Sequence, residues 1–334
     1  MKPFRETGAA FFILRLMRII FFGTPEFAVA SLDKLVKEKC QVVAAVTAPD
    51  KPAGRGLQMQ ISAVKSYCLQ HNIPVLQPAN LKDENFLNEL KGYAADLQIV
   101  VAFRMLPEKI WNMPPLGTFN LHGSLLPKYR GAAPINWCII NGDKETGVTT
   151  FKLQQQIDTG QVLMRDKVSI GENTTAGELH DELMNVGANL LWESVKKIQH
   201  AYESKVPLEF FPQDEKQVSH APKIFKQDCK IDWSKPAQQV HNLIRGLSPF
   251  PGTYATLNNG DGLEKQLKIF GTEMEGEKCV GTNGSLITDN QTFIKVCCSG
   301  QVLAIKSLQL EGKKRMDVAS FLKGFKLAST AKLE

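Results

Sequence analysis

The chain has 334 residues, of which 43% are hydrophobic and 22% charged, a length sufficient for two folded domains and a balance that excludes a disordered or low-complexity protein. Lys and Arg outnumber Asp and Glu by 40 to 34, and the excess is lopsided: residues 1–221 carry 24 basic and 23 acidic groups, residues 222–334 carry 16 and 11. The surplus of five positive charges in the smaller C-terminal part is compatible with a polyanionic partner, but many such surfaces are merely solvated, so charge alone does not establish nucleic-acid binding.

In chain order, Lys2 and Arg5 precede the apolar stretch Ala9 to Leu14 in the manner of a short signal peptide, but Arg15 and Arg18 interrupt it and no small-x-small cleavage site follows. No run approaches the roughly 20 apolar residues of a spanning helix. Residues 1–16 are therefore expected to be an N-terminal extension without a structural role, and the protein to be cytoplasmic, with no membrane association. Strands are predicted at Arg18–Phe22, Val42–Thr47, Pro74–Leu76, Gln98–Ala102 and Thr118–His122, with helices near Phe27–Lys37, Ala63–His71, Asn85–Tyr93 and Ala133–Ile140. This alternation predicts an α/β fold, a Rossmann-like doubly wound sheet. Thr149–Lys152 and Val162–Val168 add strands. Thr175 with Glu178 makes a capping box that opens a long helix toward Lys205.

Val206 to Lys223, with Pro207, Pro212 and Pro222 and no clear periodicity, reads as a linker. Beyond it come one helix, roughly Ala237 to Leu247, and several short strands broken at 258–262, 282–284 and 299–300, a pattern that predicts a small β-barrel. The domains are thus read as 17–205 and 224–334, joined by 206–223. Seven cysteines form no C-x-x-C pair, and their odd count and wide spacing argue against a disulfide framework or a zinc site. Reduced thiols and no bound metal are expected.

Gly23-Thr24-Pro25-Glu26 follows the first strand but lacks the second and third glycines of a dinucleotide fingerprint, and no G-x-x-x-x-G-K-[ST] is present. An NAD enzyme is disfavoured, and nothing argues for ATP. The most informative run is Phe119-Asn-Leu-His-Gly-Ser-Leu-Leu-Pro-Lys-Tyr-Arg-Gly-Ala-Ala-Pro134. Period-two alternation aims Asn120 and His122 at one face of their strand, with Phe119 and Leu121 at the other. A buried, satisfied histidine beside a hydrogen-bonded asparagine and a paired catalytic site both fit that pattern. Asp158, in the polar loop Gln154-Gln-Gln-Ile-Asp-Thr-Gly160, reads alone as a turn-forming aspartate or as a carboxylate that orients an imidazole.

The Asn120–Pro134 run closely resembles the signature of the 10-formyltetrahydrofolate-dependent formyltransferases. Arg18–Phe27, Pro49–Gly56, Gln156–Gly160, Ile231-Asp-Trp233 and Ile244–Pro251 are similar to that family's landmarks in that family's order, so the resemblance covers roughly residues 17 to 330. It begins at Met17, which is accordingly expected to be the start of the structural chain. It implies a formyltransferase domain followed by a small OB-like barrel, with 10-formyltetrahydrofolate as co-substrate, methionyl-tRNA as acceptor and no metal. The chain is expected to act as a monomer. The resemblance carries Asn120, His122 and Asp158 onto the family's catalytic trio, Ser124, Leu125, Leu126 and Pro127 onto its folate-contacting stretch, and Arg55 onto an arginine between two glycines in the loop that reaches the tRNA acceptor end. It also implies tRNA binding by residues 224–334.

Two departures stand out. Where many relatives read A-Y-G-L-I-L-P, this chain has Arg104 in place of glycine, so no pterin contact is carried onto that side chain; after Gly56 it lacks the lysine-rich run of some relatives. Two other readings are open: a formyltransferase acting on an amino sugar nucleotide, which shares H-G-S-L-L-P-x-Y-R-G, and a folate- or RNA-binding protein without turnover. Ala132-Ala133-Pro134, the 49–56 loop and the basic C-terminal part favour tRNA over the first; an intact Asn120, His122 and Asp158 set argues against the second.

Overall fold

The computed structural model describes residues 17–53, 58–260, 262 and 264–334. The expected extension 1–16 and Arg55 lie outside the described residues. Seven strands form the first sheet: β1 (Arg18–Gly23), β2 (Gln41–Val46), β3 (Val75–Leu76), β4 (Leu97–Val101), β5 (Thr118–His122), β6 (Glu145–Lys152) and β7 (Val162–Ser169), in the order β7-β6-β5-β4-β1-β2-β3. β3 through β5 along that order pair in parallel, and β6 and β7 are antiparallel additions. Strands buried on both faces read as unbroken apolar runs, as Ile19-Ile-Phe-Phe22 does. Ile19 and Phe21 enter a core shared with the helices α1 (Glu26–Lys37) and α6 (Ala176–Ser204), whereas Ile20 and Phe22 enter one shared with α3 (Glu84–Gly92) and the short α4 (Glu108–Trp111). Helices α2 (Ala63–Gln70) and α5 (Pro134–Ile140) lie on the α1 face.

The capping box predicted for α6 is present: Glu178 N donates to Thr175 Oγ1 at 3.3 Å and Thr175 N to Glu178 Oε2 at 2.8 Å. These bonds hold the Glu178 carboxyl below its ordinary range. Gly187 lets the helix lie close on the site strand, since a Cβ there would meet Leu121 Cδ2 at 2.9 Å. The strand order reverses between β1 and β4, so a crevice opens beyond their carboxyl ends.

The 206–223 stretch is laid along the first domain. Phe211 exchanges backbone hydrogen bonds with Val162 at 2.8 and 2.9 Å, and His220–Ala221 pairs in parallel with Arg130–Gly131. The C-terminal part holds α7 (Ala237–Gly246), β8 (Thr253–Asn258), β9 (Glu264–Lys278), β10 (Leu286–Thr288), β11 (Ile294–Cys298), β12 (Gln301–Leu310), α8 (Val318–Gly324) and β13 (Lys332–Leu333). Its antiparallel order is β10-β11-β12-β9-β8-β13, and a bridge from Ser285 to Lys332 joins the two edges into a nearly closed barrel around Ile231, Trp233, Leu267, Val296 and Leu303. Instead of only short strands, β9 runs fifteen residues with register shifts that bend it. The seven-residue α8 was not expected; Asp317 caps it by accepting from Ser320 N at 2.8 Å.

One expectation is corrected. Cys279 and Cys297 form a disulfide, and Cys40, Cys68, Cys138, Cys229 and Cys298 are free. The two lie 18 residues apart in sequence, but Cys279 follows β9 and bonds Gly300 O through its N–H, which folds it back beside β11. Spacing along the chain cannot show that register. No helix among the described residues is long and apolar enough to cross a membrane.

Candidate active site

Asn120 and His122 end β5 on the face shared with Val100, as the alternation requires, because Phe119 and Leu121 are taken by the α6 core. Both line a cavity of about 660 Å³ beyond the carboxyl ends of β1, β4 and β5, together with Pro25, Ala102 to Leu106 and Asp158. Its inner wall is apolar, with Phe103, Leu106, Trp111 and Leu153. A mostly apolar recess with a few converging polar groups is the usual character of a small-molecule site.

The polar groups are fixed from outside the cavity. After His122 the chain loops out and returns: Ser124 Oγ donates to Lys128 O at 2.6 Å, and Thr149 Oγ1 donates to Ser124 O at 2.6 Å. The loop is anchored by Tyr129, whose hydroxyl donates to Asp143 Oδ2 at 3.0 Å and whose burial pushes its phenol up to about 12. Tyr129 O is thereby presented to His122 Nε2 at 2.9 Å. A carbonyl only accepts, so Nε2 carries a hydrogen and Nδ1 is the nitrogen left for other contacts. Nδ1 faces Asp158 Oδ2 at 3.8 Å, with both side chains buried.

Asp158 arrives on the loop after β6. Its φ is +54°, a left-handed conformation that an aspartate holds only with support. Its Oδ2 accepts from Gly131 N at 2.9 Å. Gly131 has φ +129°, and a Cβ there would meet Ala221 O at 2.6 Å, so only glycine can present that N–H. Asn120 Oδ1 is buried without a hydrogen-bond partner, a cost that a native site bears where a ligand supplies the missing group.

The structure thus brings Asn120, His122 and Asp158 together. It leaves the other predicted residues elsewhere: Leu125, Leu126 and Pro127 line a separate hollow beside Arg165 and Thr146, and Ser124 is fully buried within its loop. Arg104 lines the cavity, and its guanidinium is engaged by Pro78 O and by Ala79 O at 3.1 Å. Several lining residues were not anticipated. Met105 and Ile157 are exposed apolar side chains at the rim, 73% and 61% accessible, and His180 enters from α6 with its ring 5.3 Å from that of Phe27. Adjacency to Asp158 was the only signal available for Ile157, and α6 periodicity alone does not separate His180 from a solvated residue.

Comparison with known proteins agrees with this architecture. Residues 17–195 match the family described as Formyl transferase, and residues 223–326 its C-terminal domain. The chain is 48% identical over 322 residues to a methionyl-tRNA formyltransferase of Bacteroides fragilis, covering 95% of this chain and 98% of that one. It is 50% identical over 311 residues to that of Parabacteroides distasonis, covering 93% and 96%. Among solved structures, the sugar 3N-formyl transferase WlaRD superposes with a TM-score of 0.64 at 20% identity, over 90% of this chain and 99% of that one. HypX from Aquifex aeolicus, in complex with tetrahydrofolic acid, gives 0.62 at 17% identity, over 93% of this chain and 48% of that one. At those identities the two structures bear on the fold alone. With a catalytic-domain match across the doubly wound sheet and near full-length identity to bacterial relatives, the chain belongs to the formyl transferase family, in its methionyl-tRNA formyltransferase branch.

Proposed function

We propose that this enzyme transfers the formyl group of 10-formyltetrahydrofolate to the α-amino group of methionyl-tRNA, giving N-formylmethionyl-tRNA and tetrahydrofolate. The observation that carries the reading is the convergence of Asn120, His122 and Asp158 on one apolar-walled recess, in a chain about half identical to methionyl-tRNA formyltransferases along nearly its whole length. The neutral amine attacks the formyl carbon, the bond from that carbon to the folate nitrogen breaks, and the nitrogen takes up a proton as the amine loses one.

The residues of this chain divide that work. Asn120 hydrogen-bonds the reacting groups: its NH2 stabilises negative charge developing on the formyl oxygen, and its buried, unpartnered Oδ1 can accept only from a donor such as the attacking amine. His122 acts through Nδ1, since Nε2 is committed to Tyr129 O: protonated there it donates to the same charge, and unprotonated it takes up a proton. Asp158, held by the Gly131 N–H, orients the imidazole and takes the amine proton through water. Phe103, Leu106 and Trp111 fit the flat apolar body of a folate, and the backbone of Ala102 to Leu106 offers polar groups to its edge. We assign the Ser124–Pro127 loop an indirect part in donor binding, since it sets the return of the chain through Tyr129 to Gly131. Met105 and Ile157 are assigned to the methionyl side chain.

On this reading residues 17–205 form the catalytic domain and residues 224–334 capture the tRNA, whose acceptor end Arg55 would order for attack. One assay tests the whole: purified protein, 10-formyltetrahydrofolate, and either methionyl-tRNA or an amino sugar nucleotide as acceptor, with products read by mass spectrometry. Formylation of methionyl-tRNA is expected. Transfer only to the sugar nucleotide, or to neither, rejects the proposal.

A further inference from the structure

We infer that Gln213 is a positioning residue for this reaction: from the stretch between the two domains it holds the loop that carries Asp158, an inference that rests on the role given to Asp158 above. Its Nε2 donates to Asp158 O and to Gly160 O, both at 2.8 Å. Its Oε1 accepts from Arg130 Nε at 3.1 Å and Nη2 at 2.8 Å. The amide orientation is fixed by its partners, because a half-turn would set Oε1 against two carbonyls and the NH2 against a guanidinium. Both amide hydrogens are spent on the backbone flanking the catalytic carboxylate. Arg130, 8% exposed, is held in turn by Glu215 at 2.8 Å, and that hydrogen bond keeps the Glu215 carboxyl below its ordinary range.

The same stretch secures the other side of Asp158. Arg130 N donates to Ser219 O at 2.9 Å and Ala132 N to Ala221 O at 2.8 Å, so the chain at 219–221 sets the strand from which Gly131 N reaches Asp158 Oδ2. One continuous segment therefore grips the backbone of the Asp158 loop through Gln213 and the donor to its carboxylate through the 130–131 pairing. This support is what a left-handed aspartate needs. Gln213 does not line the cavity and touches no reacting group, so its effect is on placement. Neither family match extends over residues 196–222.

The test is steady-state formylation of methionyl-tRNA by the full chain carrying Gln213→Met, which keeps the side-chain length, and Gln213→Glu, which keeps the acceptor for Arg130 and loses both donors. Activity of the parent protein is read first, and its absence on methionyl-tRNA overturns the reading of the function itself. Given an active parent, we expect kcat to fall roughly tenfold to a hundredfold in both variants, the scale on which small misplacements cost rate, with KM for either substrate moved far less. In an Asp158→Ala background the further loss from Gln213→Met should vanish, since two residues acting as a unit are not additive. A residue that serves only folding would lower the melting temperature and leave kcat of the folded fraction unchanged. That outcome, or an equal loss with and without Asp158, overturns the inference. Should Gln213→Met not fold, Gln213→Glu decides alone.

Discussion

Nδ1 of His122 lies 3.8 Å from Oδ2 of Asp158, while Nε2 of the same ring is committed to the Tyr129 carbonyl at 2.9 Å. The ring therefore has one nitrogen committed to the backbone and one facing a carboxylate. Which is which follows from a backbone carbonyl, since a carbonyl cannot donate.

Removing either strand residue should disarm the site without unfolding it. His122→Ala and Asn120→Ala are each expected to reduce formyl transfer by roughly a hundredfold or more, the scale of a lost oxyanion donor or acid/base group. Circular dichroism checks the fold and single-turnover kinetics the chemistry. Near-normal turnover in both folded variants would show that the reacting groups lie elsewhere.

Asp158→Asn keeps the size of the side chain and an oxygen for the Gly131 N–H, but loses the charge and the basicity. The rate should drop far more than tRNA affinity, because the carboxylate acts on a proton and not on phosphate. Filter binding and turnover, measured on the same preparation, separate the two. A deficit confined to affinity would contradict the role.

A pH effect is expected where the domains meet. His241 on α7 is 2% exposed, its Nε2 at 3.1 Å from Glu172 O and its Nδ1 at 3.0 Å from Thr272 Oγ1. Burial is the main cause holding its pKa below the ordinary value, opposed by the Glu172 carbonyl and carboxylate and assisted by the charge of Arg245. The folded chain then binds fewer protons at this site than the unfolded chain does. The stability is complete above the unfolded value of about 6.5 and is lost as pH falls through the folded value. Thermal melts from about pH 7.5 to 5.5 should show a steeper decline for the parent than for His241→Gln. Parallel curves would exclude this histidine as the source.

Salt dependence should report tRNA capture. Lys313 and Lys314 are exposed on the turn after β12, and each phosphate contact removed by changing them to Ala should reduce the slope of log affinity against log salt by up to about one unit. Arg315 differs, since its guanidinium lies 4.6 Å over the Phe270 ring and donates to Ser307 Oγ at 2.8 Å. Arg315→Ala should cost barrel stability as well, read by melting. Binding that is flat with salt in the parent would remove the electrostatic account.

Much of this molecule was legible in its sequence because the informative contacts are local. The alternation of Ile19 to Phe22, the two-residue spacing of Asn120 and His122 and the Thr175 capping box each specify their surroundings within a turn or a strand. What escaped is what depends on partners distant in sequence. Gln213 sits in a proline-broken polar stretch with no period, and its meaning arises only against Asp158, 55 residues earlier. Gly131 must be glycine because of Ala221, and Cys279 meets Cys297 through the register of three strands. Arg104 shows the converse: an unusual residue whose charge is absorbed by the carbonyls of Pro78 and Ala79.

The strand formed by His220 and Ala221 on Arg130 and Gly131 means that the compositional border of the first domain is not its operational one. A fragment ending at residue 205 would keep every strand of the large sheet, yet it would forfeit Leu208, Phe210 and Ala221 from one apolar core together with Gln213 and Ser219. Such a fragment would lack the hydrogen bonds that hold the Asp158 loop and the Arg130–Gly131 strand. The stretch runs on to Pro222, whose carbonyl accepts from Trp137 Nε1 at 2.8 Å, so a nick or fusion that spares the sheet but frees this stretch would loosen the backbone on both sides of Asp158.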